Sequence, residues 1–199
     1  MSQRVAPDQS APEWAPEVDA RLARVGMRIL LGADVFFFAA FFFAFFYLRA
    51  LNNDYAWLPE GTTHPTRAIG AIILLLLVLC AAFYMLGARA VATTPSTART
   101  LFWLALISGI LACVVQLYEF RNLGFDPQLG GGYPSVFVGL KGGLLAQVVG
   151  SLLWLGSHVA QAKPLGDSAA RPASAGMFGY FLIFLVGVSL VAYLVLYFV

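Results

Sequence analysis

The chain is short of charge. Lys, Arg, Asp and Glu make up 11% of its 199 residues, where a soluble domain carries roughly 25%. That deficit excludes an ordinary soluble domain, and a net charge of +2 is too small for a nucleic-acid binder. Cysteine is almost missing. Cys80 and Cys113 each stand alone in an apolar run, outside any CxxC pair, so they read as small packing residues and not as a disulfide or metal site. Histidine is equally scarce: His64 lies in a loop beside Pro65, and His158 lies at the end of an apolar run. Membrane redox centres need histidine pairs facing each other inside a bundle, so this chain is expected to bind no haem and no metal of its own. No GxSxG, HExxH, P-loop or GxGxxG pattern carries weight. The first 25 residues hold Pro7, Pro12, Pro16 and four acids, Asp8, Glu13, Glu17 and Asp19. They lack the apolar region and cleavage site of a signal peptide, so the first apolar run is expected to stay as an anchor.

Apolar residues fill the space that charge leaves. They make up 60% of the chain, and the mean hydropathy is +0.81. The stretch Gly26–Arg49, GMRILLGADVFFFAAFFFAFFYLR, has phenylalanine on every helical face and no proline. About 20 apolar residues at ~1.5 Å each cross a ~30 Å hydrocarbon core. Lipid offers no partner for an open backbone, so the spanning form is a helix. Four more such runs follow. The spans are expected at about 27–48, 68–86, 101–117, 135–157 and 176–199, separated by loops rich in Pro, Gly, Asn and Asp. The predicted fold is an all-α polytopic membrane bundle of five transmembrane helices. Residues 1–25 are read as a cytoplasmic tail, with an interfacial helix over 17–25. Tyr55 and Trp57 are expected at the headgroup level.

Five spans put the two ends of the chain on opposite sides. With the N-terminus inside, the inner segments carry Arg4, Arg21, Arg24, Arg28, Arg89, Arg99, Lys163 and Arg171. The outer segments carry only Arg49, Arg67 and Arg121. Basic residues favour the cytoplasm, so the reading is N-terminus in and C-terminus out. The fourth span has two seams of small residues, Gly139/Gly143 and Gly142/Ala146/Gly150. Such seams let membrane helices approach closely, and the double seam is expected to hold a helix contact.

Ionisable groups inside spans are costly and default to functional candidates. Asp34 lies about two turns into the first span; it is either a proton-exchanging acid or a structural hydrogen-bonding group to a neighbouring helix. Glu119 stands one turn beyond Gln116 at the end of the third span, near Arg121. Read plainly, that is an interfacial cluster fixing helix depth. Lys141 lies about two turns into the fourth span; its stem could snorkel to the surface, but it lies at a depth similar to Glu119 and is expected to contact it between spans three and four.

Three ordered motifs resemble the haem-copper oxidase subunit III family. Leu30–Arg49, LLGADVFFFAAFFFAFFYLR, is similar to the family helix with an acid, a phenylalanine run and a closing arginine; Asp34 stands where the family has its intramembrane glutamate. Gly109 followed by Gln116-Leu117-Tyr118-Glu119-Phe120 is similar to G…QxxE(Y/F/W). Tyr133-Pro134-Ser135-Val136-Phe137 is similar to YGS-x-F. The order matches over residues 26–199, without the family's first two helices, as in the short five-helix bacterial forms. Leu144 and Gln147 stand where the family helix has two histidines. Tyr180–Leu185, YFLIFL, stands where its last helix has a Trp-His-Phe-x-Asp cluster.

The resemblance implies a non-catalytic accessory subunit of a respiratory terminal oxidase in the bacterial inner membrane. Such a subunit packs on the catalytic subunit I, with subunit II nearby, and supports proton uptake. Haem and copper then belong to the partner subunits, and phospholipid is implied between the helices. Asp34 becomes the buried acid, Gln116 and Glu119 a polar pair, and Arg49 and Arg121 lipid-headgroup candidates. The competing readings are an accessory protein of a nitric-oxide reductase, and a small transporter or membrane scaffold.

Overall fold

The computed structural model describes residues 16–51, 57–58, 63–91, 93–125, 131–161 and 171–199. These residues form an all-α bundle of five helices: α1 Pro16–Leu51, α2 Arg67–Ala90, α3 Pro95–Arg121, α4 Gly132–Gln161 and α5 Arg171–Phe198. All five are long and apolar enough to cross a membrane. The chain is thus a multi-pass membrane protein. Residues 1–15, most of the expected tail, lie outside the described residues, as does Tyr55.

The helices run past the apolar windows because the polar turns at their ends go on hydrogen-bonding along the backbone. The largest difference is at the start. The interfacial helix expected at 17–25 is not a separate element: Pro16–Leu51 is one continuous helix of 36 residues. At ~1.5 Å per residue it is about 54 Å long, well beyond a ~30 Å core. No proline or helix-ending glycine separates the polar turns from the apolar run, so nothing interrupts the ladder.

The packing is a closed ring of four helices with a fifth outside it. α2 packs on α3 and α5, and α4 packs on α3 and α5, which closes the ring. α1 packs only on α4 and α5 among the described residues. The turn between α2 and α3 is short, and Pro95 opens α3 at a position that needs no N–H donor. Lipid gives no hydrophobic drive between helices, so contact depends on fit. The inward face of α3 supplies it with small residues, Ala98, Ala105, Ser108, Gly109 and Ala112, before ending in buried Gln116 and Glu119.

α1 docks through its phenylalanines. A Cβ at Gly139 would lie 2.8 Å from the ring of Phe41, and one at Gly143 would lie 3.1 Å from that of Phe37. The first glycine seam is thus the notch that receives α1. The second seam behaves differently: Gly142 and Gly150 have nothing within 4 Å of an added Cβ. Small residues permit close approach but do not supply a partner, and in this chain none covers that seam among the described residues.

α1, α3 and α5 end at the same side of the bundle, here called the upper end. The loops there are stitched together: Thr63 N–H donates to Gly124 C=O at 3.1 Å, and Tyr133 N–H to Trp57 C=O at 3.0 Å. Trp57 packs into this end of the bundle. It is half-buried, edge-on to Phe45 at 5.1 Å and to Tyr133 at 5.8 Å. The Tyr133 ring also meets His64 edge-on at 5.0 Å, which gives His64 a packing role in that lid.

Candidate functional site

Two buried polar clusters lie inside the bundle, and each joins helices that are far apart in sequence. The first is centred on Glu119, which is 2% exposed. Its Oε2 accepts from Gln116 Nε2 at 2.8 Å, one turn back on α3. The same oxygen lies 3.2 Å from Lys141 Nζ on α4. Its Oε1 accepts from the Tyr197 hydroxyl of α5. One carboxylate therefore ties together three helices of the ring, and both of its oxygens are satisfied. Gln116 and Lys141 are themselves buried, so Lys141 turns inward and does not snorkel. Its ammonium sits 5.3 Å from the centre of the Tyr197 ring and 6.0 Å from that of Phe137, a cation–π setting that adds to the charge pair.

The surrounding residues hold Tyr197 in place. A Cβ at Gly70 of α2 would lie 2.6 Å from Tyr197 Cζ, so glycine there clears the path of the ring to Glu119. Arg67 Nε donates to Tyr197 C=O at 3.0 Å, and its guanidinium lies over the Phe198 ring at 4.7 Å. A cation at a helix C-terminus is favoured by the helix dipole. Tyr133, buried, donates its hydroxyl to Leu196 C=O at 2.8 Å. Ser135 is exposed and donates to Gly131 C=O at 2.9 Å in the first turn of α4. These two motif residues therefore anchor the upper end of α4 and do not join the charge cluster.

The second cluster is Asp34 with Gln147. Gln147 Nε2 donates to Asp34 Oδ1 at 2.8 Å across 113 residues of sequence. Asp34 is 6% exposed, and its Oδ2 has no hydrogen-bond partner among the described residues. Gln147 follows Lys141 by six residues on α4, or about 9 Å along the axis. The two clusters are therefore at different depths, with Asp34 well inside α1 and not at a helix end. An acid with one oxygen paired and one open is a chemically distinctive group in a lipid-facing bundle.

Of the sequence-predicted residues, Gln116, Glu119 and Lys141 come together, while Asp34 stands apart with Gln147. Arg49 and Arg121 close α1 and α3 at the upper end, half-exposed and exposed respectively. The sequence reading missed Gln147 as a partner and Tyr197 altogether. The signal for Gln147 was present, since it is an amide in the apolar middle of α4. A tyrosine near a helix end looks like an ordinary interfacial residue and gives no such signal. Cys80 is buried, and its Sγ lies 3.3 Å from a Cβ built at Gly109, consistent with a packing residue. Among the described residues no three His, Cys, Asp or Glu side chains gather as a metal site. At the lower end an apolar cleft of about 220 Å³ opens between α1, α4 and α5, lined by Met27, Leu30, Trp154 and Met177.

No protein-family model matches this chain, and no curated protein matches it either.

Proposed function

We propose that this chain is a non-catalytic accessory subunit of a haem-copper terminal oxidase, resting on the catalytic subunit and lending it a buried carboxyl for proton uptake. One observation carries the reading. Asp34 stands at the position of the family's intramembrane acid, and Gln147 at that of a family histidine. These two positions, identified separately from motif order, touch each other at 2.8 Å in the fold. Glu119 and Lys141 pair with each other, as suits a structural subunit, whereas Asp34 keeps one oxygen without a hydrogen-bond partner among the described residues. In this role haem and copper are held by the partner subunits, and this chain supplies none of their ligands. The membrane is the bacterial inner membrane, with the N-terminus cytoplasmic. The apolar cleft beside Met27 and Trp154 is the place in this reading for a phospholipid chain.

The test is purification in mild detergent, with an optical haem spectrum and identification of the chains that travel with it. A haem-bearing catalytic subunit together with a copper-bearing subunit II supports the oxidase. A haem-bearing partner without the copper subunit supports the nitric-oxide reductase accessory reading. A chain that purifies alone and colourless, and that moves a solute when reconstituted into liposomes, is a transporter, and the proposal fails.

A further inference from the structure

The ring α2–α3–α4–α5 is not solid. A partly open cavity of about 30 Å³ lies between its helices, walled mostly by apolar residues such as Leu77, Leu144 and Val148, with Gln116, Lys141 and Ser189 among them. Each of the four ring helices contributes to the wall, and the polar part of it comes from three of them. Gln116 arrives from α3, Lys141 from α4 and Ser189 from α5.

Ser189 is the anomaly. Buried serines in membrane helices normally turn back to the carbonyl one turn earlier. Ser108 does so, donating to Leu104 C=O at 2.8 Å, and Ser151 does so, donating to Gln147 C=O at 2.8 Å. Ser189 is 7% exposed, and its Oγ has no partner among the described residues. A hydroxyl that gives up the bond available on its own helix, in a setting without bulk water, calls for another partner.

The cavity supplies the room for one. A water needs about 10–15 Å³ of such space and two to four polar contacts. The volume accommodates one or two waters. An ammonium carries three N–H donors, and the structure gives Lys141 one carboxylate oxygen. One of the two Gln116 amide N–H groups is spent on Glu119, which leaves the other as a donor and the carbonyl as an acceptor. Donors and acceptors of complementary kind thus line one small chamber.

We infer that this chamber is a built water site, in which one or two buried waters bridge Ser189 Oγ of α5 to Lys141 and Gln116. The water completes the bonding of Ser189 and hydrates the Lys141–Glu119 pair from within the ring. It extends the three-helix clamp around Glu119 down to the middle of α5. The site stands whichever complex the chain joins.

The test uses the full chain in the complex or detergent particle in which it purifies. Ser189→Ala separates the wet cavity from the dry one by sign. In a wet cavity the variant strips an anchor from the water, and the thermal midpoint falls by about 2–5 °C. In a dry cavity it removes an unpaired hydroxyl, so the midpoint rises or stays, and the inference is overturned. A second measurement covers a variant that fails to fold. Wild-type protein is pressurised with xenon, which enters dry apolar cavities, and its structure is determined at a resolution that shows ordered water. Water density within hydrogen-bonding distance of Ser189 Oγ, with xenon absent, is the expected result. Xenon in the chamber, or a chamber without density, overturns it.

Discussion

Removing the ammonium of Lys141 tests the architecture most directly. Glu119 is 2% exposed and accepts from Gln116, Lys141 and Tyr197. In Lys141→Met, an unbranched side chain of similar girth fills the space, but the carboxylate keeps only two neutral donors. Breaking a buried pair from one side costs ~3–5 kcal/mol, because the remaining charge stays desolvated. For a chain of this size each kcal/mol is worth roughly 2–4 °C, so the thermal midpoint in detergent should drop by about 6–20 °C. The assay is monodispersity by size exclusion after stepwise heating, run beside Glu119→Gln and the double variant. Glu119→Gln strands the lysine and should cost a similar amount. The double variant removes both charges, so it should recover most of the loss and show a strongly non-additive cycle. A Lys141→Met protein as heat-resistant as the wild type would refute the reasoning. So would a double variant that simply sums the two losses.

Other expectations follow from the same contacts. Asp34→Asn keeps the bond to Gln147 within reach but removes a titratable oxygen; assembly should persist while sustained turnover or proton uptake of the complex changes, read by steady-state oxygen consumption and pumping in vesicles. Unaltered rates and pumping would remove the proton-linked role. Tyr197→Phe deletes a hydroxyl donor to a buried carboxylate and should cost about 1–3 kcal/mol, seen as a lower midpoint with the helical circular dichroism intact. Gly139→Leu places side-chain bulk where a Cβ alone would already be 2.8 Å from Phe41. It should lift α1 off α4, seen as a lower thermal midpoint in detergent than the wild type.

The five helices were legible because apolar runs of spanning length allow only one backbone solution in lipid. The Glu119–Lys141 pair was legible too, since both residues lie at matched depth on consecutive spans, where opposite charges have few alternatives. Asp34–Gln147 required more: the rotation of α1 about its axis and its choice of α4 over its sequence neighbour α2. Phenylalanines on every face of α1 give no amphipathic stripe from which to read either. The glycine seams show the same limit, since Gly139 and Gly143 face Phe41 and Phe37 while Gly142 and Gly150 face nothing among the described residues. Composition marks where a neighbour fits, and tertiary placement decides whether one comes. The helix over 17–25 runs on into the first span for a local reason: a change from polar to apolar side chains does not stop a helix whose backbone has no breaker.

The position of α1 outside the closed ring bears on how the protein is made. α1 leaves the ribosome before the other four helices, yet its helical neighbours among the described residues, α4 and α5, are synthesised last. Through the emergence of α2 and α3 it stands in the bilayer without its notch, and the Asp34 carboxyl waits there for Gln147. The α2–α3 hairpin can zip immediately, but α1 must be captured late, across more than a hundred intervening residues. Assembly therefore has a vulnerable interval at its start, when an unpaired acid in a phenylalanine-coated helix is open to whatever membrane factor reaches it before α4 does.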